Sequence, residues 1–275
     1  MKLYISCDME GISGITDPSY INPQTGSNYQ QGRHYMTQDV NAVIEGALAA
    51  GATEILVADS HENFNNILWE DLHPKARLLR GTPRDHSMVH GLDQTFDAAF
   101  FIGYHTRHGV PGILSHTMSR VIKNLYVNGS VVGEFGFNAI YAGLTGVPVC
   151  MVSGDNLIAE EAKSLIPSIH TAIVKEAASR TSAICLSRQE SLDVLTEQAS
   201  LALQNAKQIA PLTTQVPMEL KIDFSHYGMA EMAASVPGTV LSTDSTFVTY
   251  IAKDQYDMYK TMRAMMNLAG GVPFC

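Results

Sequence analysis

The amino-acid sequence predicts a layered α/β/α fold with a largely parallel or mixed sheet, plus a smaller C-terminal α+β subdomain. Short apolar segments alternate with helical patterns through the first half, which is typical of α/β proteins. The second half opens with a helix and then combines alternating strand patterns with a further helix. The chain has 275 residues, 45% of them hydrophobic, which suffices for two modest units. We expect one unit over residues 1–185 and the smaller one over 186–275.

The first half contains five strand-like segments and two helical ones. The strand-like segments span residues 2–7, 54–58, 98–102, 125–132 and 147–152. The fourth is a hairpin that turns at Asn128-Gly129, and a helix over 135–144 follows Glu134. The other helix is capped by Thr37 and stops at Gly51. Its apolar face consists of Val40, Val43, Ile44, Ala47 and Leu48.

The second half begins with a capping box formed by Ser187 and Glu190, which predicts a helix start. Residues 211–217 form a linker between prolines, residues 218–224 alternate as in a half-buried strand, and residues 247–252 form another strand. Asp254 caps a final helix. One face of that helix carries Met258, Met262, Met265 and Met266. We interpret this methionine face as core, because methionine fills irregular gaps.

Composition excludes several classes of protein. The net charge is -9, from 27 acidic and 18 basic residues, so we expect no nucleic-acid partner. No apolar run reaches the roughly 18 residues of a membrane span, and we expect no membrane association. The N-terminus lacks the pattern of a signal peptide. The four cysteines (Cys7, Cys150, Cys185 and Cys275) are far apart, which predicts reduced thiols and a cytoplasmic location.

Acidic residues and histidines follow the predicted strands of the first half. Because ligands bind beyond the carboxyl ends of the strands of an open α/β sheet, we expect these side chains to gather at one edge. The candidates are Asp8 and Glu10 after the first strand, His61 after the second, His105 after the third, and His116 and Glu134 further along. Carboxylate and imidazole together favour zinc, manganese or iron.

The spacing of Asp8 and Glu10 supports a metal site. In an extended chain, residues two apart point to the same side at roughly 6.7 Å, so both carboxylates can reach one small volume. Two such anions repel unless a cation lies between them. Three carboxylates and two histidines are too many for one tetrahedral ion and suit two ions about 3.5–4 Å apart. His116 fits either a proton-transfer role or a packing role beside the ligands.

The chain resembles the DppA family of zinc-dependent D-aminopeptidases. The matching segments are Ser6-Cys7-Asp8-Met9-Glu10-Gly11-Ile12-Ser13-Gly14, Val57-Ala58-Asp59-Ser60-His61, Asn65-Asn66, Gly103-Tyr104-His105, Ser115-His116, Gly133-Glu134-Phe135-Gly136-Phe137-Asn138-Ala139, Pro148-Val149, Ser153-Gly154-Asp155 and Phe274-Cys275. The resemblance implies two zinc ions per subunit and a ring-like homodecamer that encloses the active sites. It implies that Asp8 bridges the ions, that Glu10 and Glu134 bind one ion and His61 and His105 the other, and that His116 is catalytic.

We therefore expect a metal-dependent aminopeptidase that hydrolyses short peptides or amides from the N-terminus, with D-amino-acid specificity implied by the resemblance. Residues 1–185 would then be the metal-binding catalytic domain. One alternative is a two-metal amidase or phosphoesterase. A phosphate pocket needs cationic side chains, and only Arg107 and Arg120 lie near the candidate ligands in sequence. The other alternative is a non-enzymatic peptide-binding protein.

Overall fold

The computed structural model describes residues 1–273, so the matching Phe274-Cys275 pair and the predicted thiol of Cys275 lie outside the described residues. Twelve strands and six α-helices form in this range. The strands are β1 (Lys2–Cys7), β2 (Glu54–Asp59), β3 (Ala76–Leu79), β4 (Ala98–Ile102), β5 (Ile122–Val127), β6 (Ser130–Val132), β7 (Val149–Asp155), β8 (His170–Ser179), β9 (Ser182–Cys185), β10 (Met218–Phe224), β11 (Val240–Leu241) and β12 (Phe247–Ala252). The helices are α1 (Tyr29–Ala49), α2 (Glu134–Leu144), α3 (Asn156–Leu165), α4 (Arg188–Gln204), α5 (Tyr227–Ala233) and α6 (Gln255–Gly270).

A seven-stranded sheet has the order β3-β2-β1-β4-β7-β8-β9. All neighbouring pairs are parallel except β8 and β9. Strand β1 lies inside the sheet and pairs with β2 on one side and with the central strand β4 on the other, and β4 is buried throughout. Helices α1 and α4 pack together, and α3 and α4 contact β7 and β8. The predicted layered α/β fold with a mixed sheet is confirmed.

A five-stranded antiparallel sheet has the order β11-β12-β10-β5-β6, and α5 and α6 pack on it. The predicted hairpin forms β5 and β6, with Asn128 and Gly129 at φ values of 50° and 80°, as a tight primed turn requires. This sheet takes two strands from before residue 186 and three from after it. The division at 185/186 therefore stays a prediction.

Helix α1 begins at Tyr29, eight residues before the predicted cap at Thr37. Thr37 lies inside the helix, where its hydroxyl donates to the Arg33 carbonyl and accepts from the Leu68 amide. The first turns are fixed by tertiary contacts instead, since Arg33 Nε donates to the Asn66 carbonyl oxygen at 2.8 Å. The apolar pattern begins later than the helix because this end binds a polar loop.

Several elements have no counterpart in the sequence prediction, namely β3, β8, β9, β11, α3 and α5. The predicted caps in the second half are confirmed: Ser187 accepts from the Glu190 amide, and Asp254 accepts from the Asp257 amide. Within residues 1–273, no helix has both the length and the apolar character needed to cross a membrane.

The carboxyl ends of β1 and β4 approach each other more closely than side chains would permit. A Cβ atom on Gly11 would lie 2.1 Å from the Tyr104 carbonyl oxygen, and one on Gly103 would lie 2.3 Å from the Asp8 carbonyl oxygen. Gly103 also has a φ of 71°, in the left-handed region that favours glycine. These two glycines therefore allow the backbones on either side of Asp8 to come together.

Lys175 on β8 fixes the segment that follows β1. Its side chain is fully buried, and Nζ donates to the carbonyl oxygens of Glu10 at 2.7 Å and Ile12 at 2.9 Å, and to that of Ile15. Burial lowers the pKa of Lys175 to about 8, so the ammonium remains charged at pH 7. One buried cation thus satisfies three carbonyl groups and holds the loop that carries Glu10.

Candidate metal centre

The structure brings all six predicted residues together at the carboxyl edge of the seven-stranded sheet. Asp8 follows β1, His61 lies two residues after β2 and His105 three residues after β4, while Glu134 begins α2. A cavity of about 690 Å³ opens onto the cluster, and five of the six residues line it. They are Asp8, Glu10, His61, His116 and Glu134.

The distances define a compact cluster centred on Asp8. Its Oδ1 lies 3.1 Å from His61 Nδ1, and its Oδ2 lies 3.5 Å from His105 Nε2. Glu10 Oε2 lies 3.2 Å from His61 Nδ1, and Glu134 Oε1 lies 3.3 Å from His105 Nε2. Asp8 therefore faces both histidines, each of which also faces a glutamate.

Three sets of side chains place one ligand atom each within 4.8 Å of one another, as a metal ion requires. The sets are Asp8 with Glu10 and His61, Asp8 with His105 and Glu134, and Glu10 with His105 and His116. Asp8 belongs to two sets. These sets pair each histidine with a carboxylate, whereas the family resemblance pairs His61 with His105, so the division of ligands between two ions stays a prediction.

The outer nitrogen of each histidine is oriented by a backbone carbonyl. His61 Nε2 lies 2.8 Å from the Ile21 oxygen, and His105 Nδ1 lies 2.9 Å from the Thr106 oxygen. In the neutral ring these nitrogens donate to the carbonyls, which leaves the other nitrogen free to bind a cation. Such outer hydrogen bonds are characteristic of histidine ligands.

Burial shifts the pKa values of residues in the cluster. Asp8, Glu10 and Glu134 are only 3%, 2% and 4% exposed. Burial raises the pKa of Asp8 well above its usual value, and the charge of Glu10 raises it further. Burial alone would lower the pKa of His105, but Glu134 and then Glu10 outweigh it and raise the pKa to about 10. Burial also acts to lower the pKa of His61, but the charge of Glu10, and then the contact with Asp8, outweigh burial and raise this pKa well above its usual value.

Two buried atoms of the cluster have unused bonding capacity. Among residues 1–273, Glu10 Oε2 and His105 Nε2 are buried atoms without a hydrogen-bond partner. Such atoms are costly unless something else binds them. Both face other oxygen or nitrogen ligands, and the donor set of carboxylates and imidazoles suits a divalent transition metal. The residues present therefore fit a metal centre.

His116 lies over the cluster on a strained loop. Its ring stacks on that of His105 with centroids 4.2 Å apart, and its Nε2 lies 3.5 Å from Glu134 Oε1. Leu114 and Met118, on either side of it, have φ values of 54° and 59°. Non-glycine residues in this region cost about 1 kcal/mol or more and cluster at functional sites. The Met118 amide donates to Glu134 Oε1 at 2.7 Å, which ties this loop to the cluster.

Other strand-end residues do not join the cluster. The buried carboxylate of Asp59 accepts from the amides of Asn66 and Ile67. The thiol of Cys7 is fully buried, and burial raises its pKa, which keeps it protonated and argues against a nucleophilic role.

Sequence reasoning missed two sides of the cavity. The loop around Pro18, Ile21 and Asn22 lines one side, and Ile21 contacts His61 through a backbone carbonyl, which has no residue-type signature. Helix α6 lines another side with Met262, Arg263, Met266 and Asn267. The methionine face is thus core that also reaches the cavity.

Comparison with known proteins agrees with this geometry. Residues 1–264 match the profile of a protein family described as D-aminopeptidase. The chain belongs to the D-aminopeptidase family. A D-aminopeptidase of Bacillus subtilis (strain 168) is 45% identical over 275 residues, which is 100% of both chains. The solved structure of the Zn-dependent D-aminopeptidase DppA from Bacillus subtilis, a self-compartmentalizing protease, matches with a TM-score of 0.98 at 45% identity and covers 100% of both chains.

We predict that a divalent transition metal displaces protons from this site. The raised pKa values mean that His61 and His105 are protonated at pH 7 in the metal-free protein, whereas a metal ligand must be a neutral imidazole. Metal affinity should therefore rise with pH between about 6 and 9. Calorimetric titration in two buffers of different ionisation enthalpy measures the protons released. Zero net proton release would contradict the prediction. As a control, His108→Ala, which removes an exposed histidine, should release as many protons as the wild type.

Proposed function

We propose that the protein is an aminopeptidase that uses two zinc ions to hydrolyse short peptides from the N-terminus and prefers a D-amino acid at that position. One observation carries the proposal: three buried carboxylates and three histidines form one cluster, and five of the six residues line a cavity of about 690 Å³. Membership of the D-aminopeptidase family and the likeness to a Zn-dependent relative support it. All six residues lie within 1–185, the proposed catalytic domain.

Asp8, Glu10, His61, His105 and Glu134 would hold the two ions. Asp8 presents one oxygen to His61 and the other to His105, which fits a carboxylate shared by two ions. When bound, the zinc ions supply a water of near-neutral pKa and polarise the scissile carbonyl. The backbone contacts of the two histidines keep the ligand nitrogens aimed inward.

His116 would move the proton of the reaction. Its Nδ1 lies 2.9 Å from the Leu114 carbonyl oxygen, so the neutral ring donates there and keeps its lone pair on Nε2. Burial lowers the pKa of His116, as does the positive charge of His105 in the metal-free protein, so the ring is neutral at pH 7. Nε2 can then accept a proton from the attacking water and return it to the leaving amine.

The free amine of the peptide would lie beside the anionic cluster. Within the described chain, the ion-pair partners of Asp8, Glu10 and Glu134 are histidines only. With zinc bound, the ions themselves would neutralise these carboxylates, so the amine would lie in its neutral form against an ion or against one of the carboxylate oxygens. This position for the amine explains cleavage from the N-terminus rather than within a chain.

A two-metal phosphoesterase is the second candidate, because cations line the cavity. Arg120, Arg180 and Arg263 all contribute to its wall. Arg107, which sequence reasoning also considered, instead places its amide 3.1 Å from Glu161 Oε2. Phosphate esters therefore belong in the test of function.

The function is tested by metal analysis and a hydrolysis panel. We expect two zinc ions per subunit and cleavage of D-aminoacyl peptides and amides, with L-aminoacyl counterparts cleaved more slowly. Hydrolysis of p-nitrophenyl phosphate in place of peptides would favour the phosphoesterase. Failure to cleave any compound with zinc fully bound would leave the peptide-binding alternative.

We predict that His116→Ala retains the metals and the fold but loses turnover. Proton transfer by a positioned side chain contributes about 10²–10⁴-fold, so kcat should fall within that range. The matched control is His108→Ala, which removes an exposed imidazole from the preceding loop. Metal content and circular dichroism accompany the kinetics. Loss of a metal ion in His116→Ala would instead identify His116 as a ligand.

We predict assembly into a symmetric homo-oligomer, a decamer in our proposal, in the cytoplasm. A closed assembly with internal sites would exclude folded proteins and admit short peptides. The relative described as a self-compartmentalizing protease supports this arrangement. Light scattering at micromolar concentration measures the mass. A fully active species at the 29.9 kDa of one chain would contradict the assembly but not the metal chemistry.

A further inference from the structure

An arginine of α6 lines the cavity at the metal centre. Arg263 lines this cavity together with Met262 and Met266 of the same helix. Its Nε is buried and, among residues 1–273, has no hydrogen-bond partner. The guanidinium forms none of the ion pairs found in the described chain.

The other arginines with buried contacts are satisfied by the protein. Arg84 donates to the carbonyl oxygens of Asp59, Leu79 and Gly81 at 2.8, 2.9 and 2.7 Å. Arg188 pairs with Asp39 at 2.6 Å. These two arginines have structural roles that account for their burial, and Arg263 has none of this kind.

Among residues 1–273, no acidic side chain forms an ion pair with Arg263. His86 and His90 lie close to it, and burial, with added repulsion from neighbouring cations, lowers the pKa of both, so they are neutral at pH 7. Asp85, the nearby acid, pairs with Lys260 at 3.4 Å. The half-buried charge and donors of this guanidinium therefore have no anionic partner among residues 1–273 and are suited to binding an anion.

The cavity wall therefore carries both the proposed metal ligands and a guanidinium. Asp8, Glu10 and Glu134 line the cavity together with Arg263. A short peptide has an amine that fits the metal cluster and a free carboxylate that needs a separate cationic partner. The planar fork of a guanidinium matches a carboxylate, with two parallel hydrogen bonds.

We propose that Arg263 binds the free α-carboxylate of the substrate and makes the site selective for very short peptides. This inference rests on the proposed function. The amine of a bound dipeptide lies at the metal cluster and its carboxylate reaches α6, whereas a longer chain places its carboxylate elsewhere. Arg120 and Arg180 are exposed and line the same cavity, so they serve as comparisons.

The test compares D-alanyl-glycine with D-alanyl-glycinamide, which differ only in the carboxylate. The wild type should prefer the acid. Arg263→Gln should lower kcat/KM for the acid by about 10- to 100-fold, mainly through KM, because a charge-assisted pair is lost. The amide should change by less than about threefold, since its carboxamide forms no such pair. Arg263→Lys, which keeps the charge but not the fork, should fall between the two.

Two controls make the result specific. Lys253→Gln removes one positive charge just before α6 at an exposed residue outside the cavity wall, and it should leave both substrates unchanged. Arg120→Gln should reduce the acid preference less than Arg263→Gln does. A larger selective loss in Arg120→Gln would assign the carboxylate to Arg120 and overturn the proposal.

The remaining outcomes separate this inference from the proposed function. If the wild type cleaves neither compound, the proposed function itself fails. If it cleaves both and Arg263→Gln reduces them equally, or reduces neither, only the carboxylate site is wrong. Equal losses with dissociation in light scattering would assign Arg263 to a subunit contact. Hydrolysis of p-nitrophenyl phosphate that depends on Arg263 would assign the anion to a phosphate and overturn the carboxylate.

Discussion

The mutual repulsion of three buried carboxylates is the constraint on which this structure depends. At an effective dielectric constant near 20, two like charges 4 Å apart cost about 4 kcal/mol. In the described chain no lysine or arginine neutralises Asp8, Glu10 or Glu134 through an ion pair, and Lys175 binds the backbone of Glu10 rather than its carboxylate. The protein thus reserves this negative charge for cations that it binds, and the surrounding fold must hold the acids in place.

Close backbone contacts hold the three acids in place. Gly11 and Gly103 let the ends of β1 and β4 close around Asp8, and Lys175 gathers the loop beyond it. A buried chain of hydrogen bonds then links β1 through α2 to α6. Ser6 contacts the Tyr104 hydroxyl at 2.8 Å, Asn138 donates to that hydroxyl at 3.0 Å, and Tyr259 of α6 donates to Asn138 at 2.8 Å. Helix α6 is therefore held at the cavity by the same core that supports the cluster.

The sequence was sufficient to predict the layered fold and to select the six clustered residues, because both depend on residue type. Apolar runs predict strands, and carboxylates or histidines at strand ends are rare enough to attract notice. Contacts made by backbone atoms could not be predicted from residue types. The contact between the Ile21 carbonyl oxygen and His61 is an example. The start of α1 at Tyr29 could not be predicted either, because polar residues of its first turns bind the loop that contains Asn66. The approach of α6 to the site depends on how two sheets pack, which local patterns do not encode.

The arrangement of charged groups in the cavity can orient a bound ligand. A uniformly anionic cavity would hold any amine, at any distance from the reacting bond. A guanidinium on a separate helix adds a second fixed point, and two fixed points orient a ligand where one only attracts it. Because Arg263 comes from α6 and the cluster comes from the ends of β1, β2 and β4 and the start of α2, the separation between the two points is set by the packing of α6 on α2. The length of ligand that fits both points is therefore a property of the tertiary fold, held by Asn138 and Tyr259, rather than of any single loop.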